Sequence, residues 1–168
     1  MSIDPFLVWL ESTPLSEWVV GSPSLLAFPG ILALHAIGMG LAAGLAAVLD
    51  LRILGVARGV PLIEFRRFRP VLWGGFWLNA VSGVLLLIGY PTKALTNPVF
   101  YLKLLLIAAG MVLLVRIGRQ AFDERPAADT GSTRRLRRLA VISLVCWTGA
   151  ITAGRLLAYT YHRLTALR

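Results

Sequence analysis

A few polar side chains interrupt the long apolar runs of this sequence, and their types and depths could support chemistry inside a membrane. They are His35, Asn79, Lys103 and Arg155. Polar and charged groups are costly in hydrocarbon, so they are functional candidates by default. His35 is expected about 16 Å below the outer boundary at helical rise, with Asn79 at a similar depth. Lys103 and Arg155 are expected nearer the outer surface, which predicts a layer of cations above a layer of neutral polar groups.

Small residues surround His35 in the stretch LALHAIGMGLAAGLAAVLDLR, residues 32 to 52. Gly38 and Ala42 share its helix face at i+3 and i+7, and a small-xxx-small ridge of Ala36, Gly40 and Gly44 runs beside it. One interpretation is close helix packing, with His35 hydrogen-bonded to a carbonyl or to Asn79. The other is that the missing side chains leave room for a flat macrocycle. His35 would then be the axial ligand of haem b, because a proximal histidine is the commonest anchor of haem iron.

Lys103, Arg155 and Met111 also allow two interpretations each. Lys103 and Arg155 could bind the two carboxylates of a haem. Alternatively, Lys103 could snorkel to the headgroups and Arg155 could bind carbonyls or lipid phosphate. Met111 falls near the level of His35 and is a candidate second ligand, although a methionine in an apolar helix also serves core packing. His162 is expected at the outer surface, above the depth of His35.

The composition places these residues in a membrane protein. Hydrophobic residues make up 57% of the 168 residues and charged residues only 15%, and the mean hydropathy is +0.75. Such a chain has too little polar surface for a water-soluble fold. The net charge of +9 comes from basic blocks between apolar runs, which indicates membrane topology rather than nucleic-acid binding.

Four runs are long enough to cross about 30 Å of hydrocarbon. They lie near residues 24–49, 71–90, 98–118 and 138–160, and they predict an all-α integral membrane protein, an up-down bundle of four transmembrane helices. Residues 50–70 hold five arginines and residues 116–138 hold seven. The positive-inside rule therefore predicts that both segments are cytoplasmic, in a bacterial inner membrane with both termini, including the tail 161–168, on the outer side.

The segment 1–23 predicts two short interfacial helices on the outer side. Asp4 before Pro5 and Thr13 before Pro14 each read as an N-cap followed by proline at the first helical position. Trp9 and Trp18 favour the headgroup layer. At the inner end of the first span, Asp50 is expected to find an arginine and Arg52 to face lipid phosphate.

Several motifs resemble a group of bacterial four-span inner-membrane proteins along nearly the whole chain. They are H-x-x-G of the first span running into DLR-x-LG, NP-x-F-x-x-K opening the third span, and GR-x-x-AY closing the fourth. More distantly, His35 and Lys103 are similar to positions in the membrane domain of copper-resistance protein D and in HemJ-type protoporphyrinogen oxidases. The second resemblance implies haem b bound by His35 in a four-helix bundle. The further histidines expected of those oxidases are missing here.

The sequence leaves three functions open. The leading one is a b-type haem protein that transfers electrons from quinone or a membrane dehydrogenase to an outer-side acceptor, or that handles haem. If it is an enzyme, it would be a haem-dependent membrane oxidoreductase, with quinone as a second candidate ligand. Copper transport is an alternative because His35, Met39, Met111 and Cys146 lie within spans. The third is a cofactor-free anchor or assembly subunit, and homo-oligomerisation stays open.

Overall fold

The described part of the chain is entirely helical. The structure is a computed structural model that describes residues 5–56, 58–123 and 134–166, with side chains to residue 157. The helices are α1 Pro5–Glu11, α2 Pro14–Gly21, α3 Phe28–Leu54, α4 Arg69–Gly89, α5 Pro91–Leu95, α6 Pro98–Gly118 and α7 Arg134–Ala166. A 3₁₀ turn over Leu62–Phe68 precedes α4, and a π-helical turn over Arg119–Asp123 follows α6. These described ranges contain no strand, which confirms the predicted all-α class.

Four of the helical segments are long and apolar enough to cross a membrane, in agreement with the four predicted spans. They are Phe28–Leu54, Leu62–Gly89, Pro98–Phe122 and Arg134–Leu157. Two ends of the bundle can be distinguished. The terminal end carries α1, α2 and α5, and the arginine end carries the 3₁₀ turn and the π turn. The spans alternate in direction between these ends.

The first span begins four residues later than the sequence predicts, at Phe28 rather than residue 24. Residues 25–27 form a turn, and Pro29 occupies the first helical turn, where a missing N–H costs nothing. The helix ends where Gly55 adopts φ 108°, a left-handed conformation that glycine accepts freely. His35 is therefore seven residues from the start of α3, about 10 Å along the axis rather than 16 Å.

The bundle is open along one side. α3 packs along both α4 and α7, and α6 packs along α7, whereas α4 and α6 hardly approach each other. The core is formed by a cluster of small and large side chains in which Ala42 and Ala46 of α3, Met111 of α6 and Trp147 of α7 take part. The gap between α4 and α6 thus leaves part of α3 uncovered by other helices.

The N-terminal helices pack on the terminal end of the bundle. Thr13 caps α2 as predicted, and its Oγ1 accepts from the Ser16 N–H at 3.3 Å. Val19 is fully buried and lies against Gly89 at the end of α4. Trp9 and Trp18 are exposed, as residues of a headgroup layer would be. The predicted cap Asp4 lies outside the described residues.

Candidate functional site around His35

The Nδ1 atom of His35 is held by α4. It lies 3.0 Å from the carbonyl oxygen of Asn79 and 3.2 Å from Ser82 Oγ. Ser82 Oγ lies 2.6 Å from the Leu78 carbonyl and donates its proton there. A carbonyl can only accept, so His35 Nδ1 donates to the Asn79 carbonyl, and the Asn79 side-chain nitrogen, 3.3 Å from Nδ1, donates to the closer His35 carbonyl instead.

A second hydrogen bond joins α3 and α4 at the same place. The side-chain amide of Asn79 donates to the His35 carbonyl at 2.8 Å. Asn79 and Ser82 are both buried, so these bonds form away from water. The imidazole ring is therefore oriented by the backbone and side chains of one neighbouring helix.

The other ring nitrogen faces a cation on a third helix. Lys103 Nζ lies 3.2 Å from His35 Nε2. With the proton on Nδ1, Nε2 presents a lone pair and accepts from the ammonium group. The stem of Lys103 runs over Gly154 of α7, where an added Cβ would lie 3.6 Å from Lys103 Cε.

The position of Lys103 follows from how α6 begins. Asn97 caps the helix by accepting from the Val99 N–H at 3.0 Å, and Pro98 occupies the first turn. Lys103 is five residues later, about 8 Å along the axis. The NP-x-F-x-x-K motif thus sets where the helix starts and places its lysine at the depth of His35.

Gly38 serves close packing between α3 and α4. A Cβ on Gly38 would lie 2.5 Å from the Asn79 backbone nitrogen and 2.8 Å from the Gly75 carbonyl oxygen. The haem interpretation predicts room for a macrocycle beside Gly38 and Ala42. Instead, α4 fills the space beside Gly38, and Ala42 is packed in the core. Gly40 and Gly44 have no heavy atom within 4 Å of an added Cβ, so the predicted ridge faces away from the described bundle.

Two residues of the site were missed by the sequence analysis. Ser82 contacts His35 Nδ1, and a Cβ on Gly83 would lie 3.1 Å from His35 Cε1. Both follow Asn79 at i+3 and i+4, on the same face of α4. That spacing is the signal that could have identified them.

Arg155 and Met111 do not join the His35 site. Arg155 is exposed on α7, and no hydrogen bond or ion pair links it to other residues that the structure describes. Met111 is buried in the core cluster, eight residues beyond Lys103 and so about 12 Å further along α6. The side chain of His162 lies outside the described residues. The site that the structure brings together consists of His35, Asn79, Ser82, Gly83 and Lys103.

The pairing predicted for Asp50 is wrong within the described ranges. Asp50 is fully buried and lies beside Ser143 of α7, but neither carboxylate oxygen meets hydrogen-bond geometry with a described residue. Asp50 meets α7 at Ser143, further along that helix than the arginines with which it begins. Arg52 binds the carbonyls of Arg58 and Val60, so it closes the turn after α3 rather than reaching for lipid phosphate.

The donor set suits haem better than a metal ion held by protein alone. Within residues 5–56, 58–123 and 134–157, no three His, Cys, Asp or Glu side chains come together as a metal site. Haem brings four iron ligands of its own and needs from the protein an oriented imidazole and cations for its carboxylates. If haem were bound, His35 would supply the imidazole and Lys103 a cation. Lys103 lies in front of Nε2 in this structure, so an iron ligand at Nε2 would have to displace it.

No protein-family model, curated protein or solved structure matches this chain.

Proposed function

We propose that this protein binds b-type haem within the membrane, with His35 Nε2 as an axial ligand, and that it serves electron transfer or haem handling. One observation carries the proposal. His35 Nδ1 donates to the Asn79 carbonyl at 3.0 Å, which leaves a lone pair on Nε2, where Lys103 Nζ lies 3.2 Å away. A ligating histidine characteristically donates its other N–H to a carbonyl, and this fixes both tautomer and ring orientation.

Lys103 has a separate role in this proposal. Its ammonium group is half-buried beside Nε2, and no carboxylate among the described residues pairs with it. A haem carboxylate would provide the missing negative partner, and Lys103 would then leave Nε2 to bind it. Bound haem would supply one-electron redox chemistry, while the chain orients the imidazole and neutralises charge.

The membrane and its sidedness are part of the same proposal. Most of the arginines lie at the arginine end, in the segment from Arg52 to Arg69, as Arg116 and Arg119 at the end of α6, and at the start of α7. The positive-inside rule puts this arginine end in the cytoplasm of a bacterial cell and the His35 site in the outer half of the inner membrane. A redox partner would then reach the site from the membrane or from the outer side.

Visible absorption spectra of the purified protein test the haem proposal. The wild type, expressed with added haem precursor, should show a Soret band, and His35→Ala should lose it. His162→Ala is the matched control, because it removes the other histidine of the chain, and it should keep the band. Wild-type protein without a Soret band would refute the proposal, as would an unchanged band in His35→Ala.

Quinone is a second candidate ligand, and the Lys103 geometry favours it. The ammonium group of Lys103 lies beside Nε2, on the side where α4 and α6 do not pack together. There it could donate to the carbonyl of a quinone that enters from the lipid. Organic extraction of the purified protein would reveal a bound quinone. Its loss in Lys103→Met, together with wild-type protein that lacks a Soret band, would move the assignment to quinone.

Copper transport and a cofactor-free anchor have less geometric support. The sulfur side chains of Met111 and Cys146 are buried in the packed bundle rather than gathered near His35. An anchor would not require the oriented imidazole. It predicts that His35→Ala keeps folding and partner binding, which the same purified variant can show.

A further inference from the structure

An apolar cleft opens at the arginine end, where α4 and α6 do not pack together. α3 forms its base, the 3₁₀ turn and the π turn lie beside each other at its mouth, and its walls are mostly leucine and aromatic side chains: Leu45, Leu49, Leu72, Trp73, Leu114 and Phe122. Arg69 and Arg119 also line it, and both are exposed. The cleft is thus apolar inside and basic at its mouth.

A basic pocket adjoins this cleft. It lies between the end of α6 and the start of α7 and is lined by Arg116, Arg119, Gln120, Arg135 and Leu139. Arg119 lines both cavities, so the two are neighbours at that residue. The ion pair found among the described residues joins Arg67 and Glu64, and it involves none of the pocket arginines.

We propose that the two cavities together bind one anionic phospholipid of the cytoplasmic leaflet. Its phosphate would lie among Arg116, Arg119 and Arg135, and an acyl chain would lie in the apolar cleft. Guanidinium groups bind phosphate through paired hydrogen bonds, and basic pockets between membrane helices on the cytoplasmic side bind acidic headgroups.

The apolar cleft distinguishes a lipid from a free anion. Inorganic phosphate would satisfy the arginines but would leave the leucine and aromatic walls unused. A neutral lipid would fill the cleft but would bring no net negative charge to the three guanidinium groups. An anionic amphiphile matches both parts, because charge and apolar surface meet at Arg119.

The test measures lipid binding by the full-length purified protein. Native mass spectrometry and thermal unfolding in detergent are followed with phosphatidylglycerol, with phosphatidylcholine of the same chains, and with inorganic phosphate. Phosphatidylglycerol alone should bind and raise the unfolding temperature. Equal effects of both lipids would overturn the charge assignment, and an equal effect of inorganic phosphate would overturn the lipid assignment.

Two variants and a control test whether the lipid binds at this site. Arg119→Gln should bind phosphatidylglycerol roughly fivefold more weakly, as expected for the loss of one surface arginine. Arg66→Gln removes the same charge at the same end, but Arg66 lines neither cavity, so its affinity should stay unchanged. Wild-type affinity in Arg119→Gln would refute the site.

Val115→Trp provides a second, independent readout should Arg119→Gln fail to fold. Val115 lines the apolar cleft, so a larger side chain there should exclude the acyl chain and leave the arginines in place. Long-chain phosphatidylglycerol should then bind more weakly than to the wild type, whereas the affinity for glycerophosphate should be the same for both proteins. Unchanged long-chain binding would overturn the proposal. Because the cleft is separate from His35, these results do not depend on haem.

Discussion

At the scale of single residues, the structure shows that contacts with two neighbouring helices hold His35 in one orientation. His35 Nδ1 is fixed on the Asn79 carbonyl and Nε2 faces Lys103 at 3.2 Å. Three helices therefore determine the tautomer and direction of one ring. The Nε2 lone pair faces the Lys103 ammonium group, so the position of the lysine decides which other groups can approach the ring.

Lys103→Met should weaken haem binding without abolishing it. The variant keeps the oriented imidazole but removes the cation proposed to bind a haem carboxylate, so affinity should fall about tenfold. Haem titration followed at the Soret band gives the affinity, and Lys93→Met, at the terminal end over the Tyr90 ring, is the control. Stronger binding in Lys103→Met would contradict the proposal, because it would show that Lys103 only blocks Nε2.

Sequence reasoning found most of this site and, in the packing interpretation, the hydrogen bond of His35 to a carbonyl, but it did not find the contact between His35 and Lys103. His35, Asn79 and Lys103 stand out because each is polar within an apolar run. Their pairing depends on where the helices begin and cross, and a start of α3 at residue 24 would have put His35 about 6 Å deeper relative to Lys103. Arg155 and Met111 share those sequence signals, yet one is exposed and the other is packed in the core.

At the scale of the helices, two glycines of α3 that look alike in the sequence have opposite surroundings in the structure. Gly38 lies against the backbone of Gly75 and Asn79 on α4, whereas Gly40 meets nothing within 4 Å. Small-residue spacing in the sequence pointed to the Ala36, Gly40 and Gly44 ridge as a packing surface. The helix contact inside this chain uses a different face, because spacing alone does not say which face meets the neighbouring helix.

Substituting alanine at these two glycines should separate packing from helix propensity. Gly38→Ala places a Cβ against backbone that cannot move locally, so we expect a loss of about 2 kcal/mol in the free energy of unfolding. Gly40→Ala should be neutral or stabilise by up to about 1 kcal/mol, since alanine favours helix. Unfolding of both variants in the same detergent gives the comparison. Equal stabilities would show that the α3–α4 contact is looser than the structure indicates.

At the scale of the whole molecule, hydropathy predicts four spans correctly because the bilayer requires long uninterrupted apolar helices. The order of packing is less accessible from sequence. All spans are similarly apolar, so nothing in their composition shows that α4 and α6 stay apart. That gap creates both the open side near His35 and the apolar cleft at the arginine end.

Labelling of single cysteines should establish which end faces the cytoplasm. In a Cys146→Ala background, Ser12→Cys tests the terminal end and Arg66→Cys the arginine end; Ser12 and Arg66 are both exposed. A membrane-impermeant maleimide should label Ser12→Cys in intact cells and Arg66→Cys only after the inner membrane is opened. The reverse pattern would show that the protein is inserted the other way round.

The buried carboxyl of Asp50 has a consequence for how the chain is assembled during synthesis. Asp50 belongs to the first span to be made, and the polar group beside it, Ser143, belongs to the last. Until α7 enters the bilayer, that carboxyl must face lipid, water at the membrane edge or the insertion machinery. The first span therefore reaches its final environment only when the fourth arrives, and a nascent chain that stops after α6 leaves this acidic group without its cover.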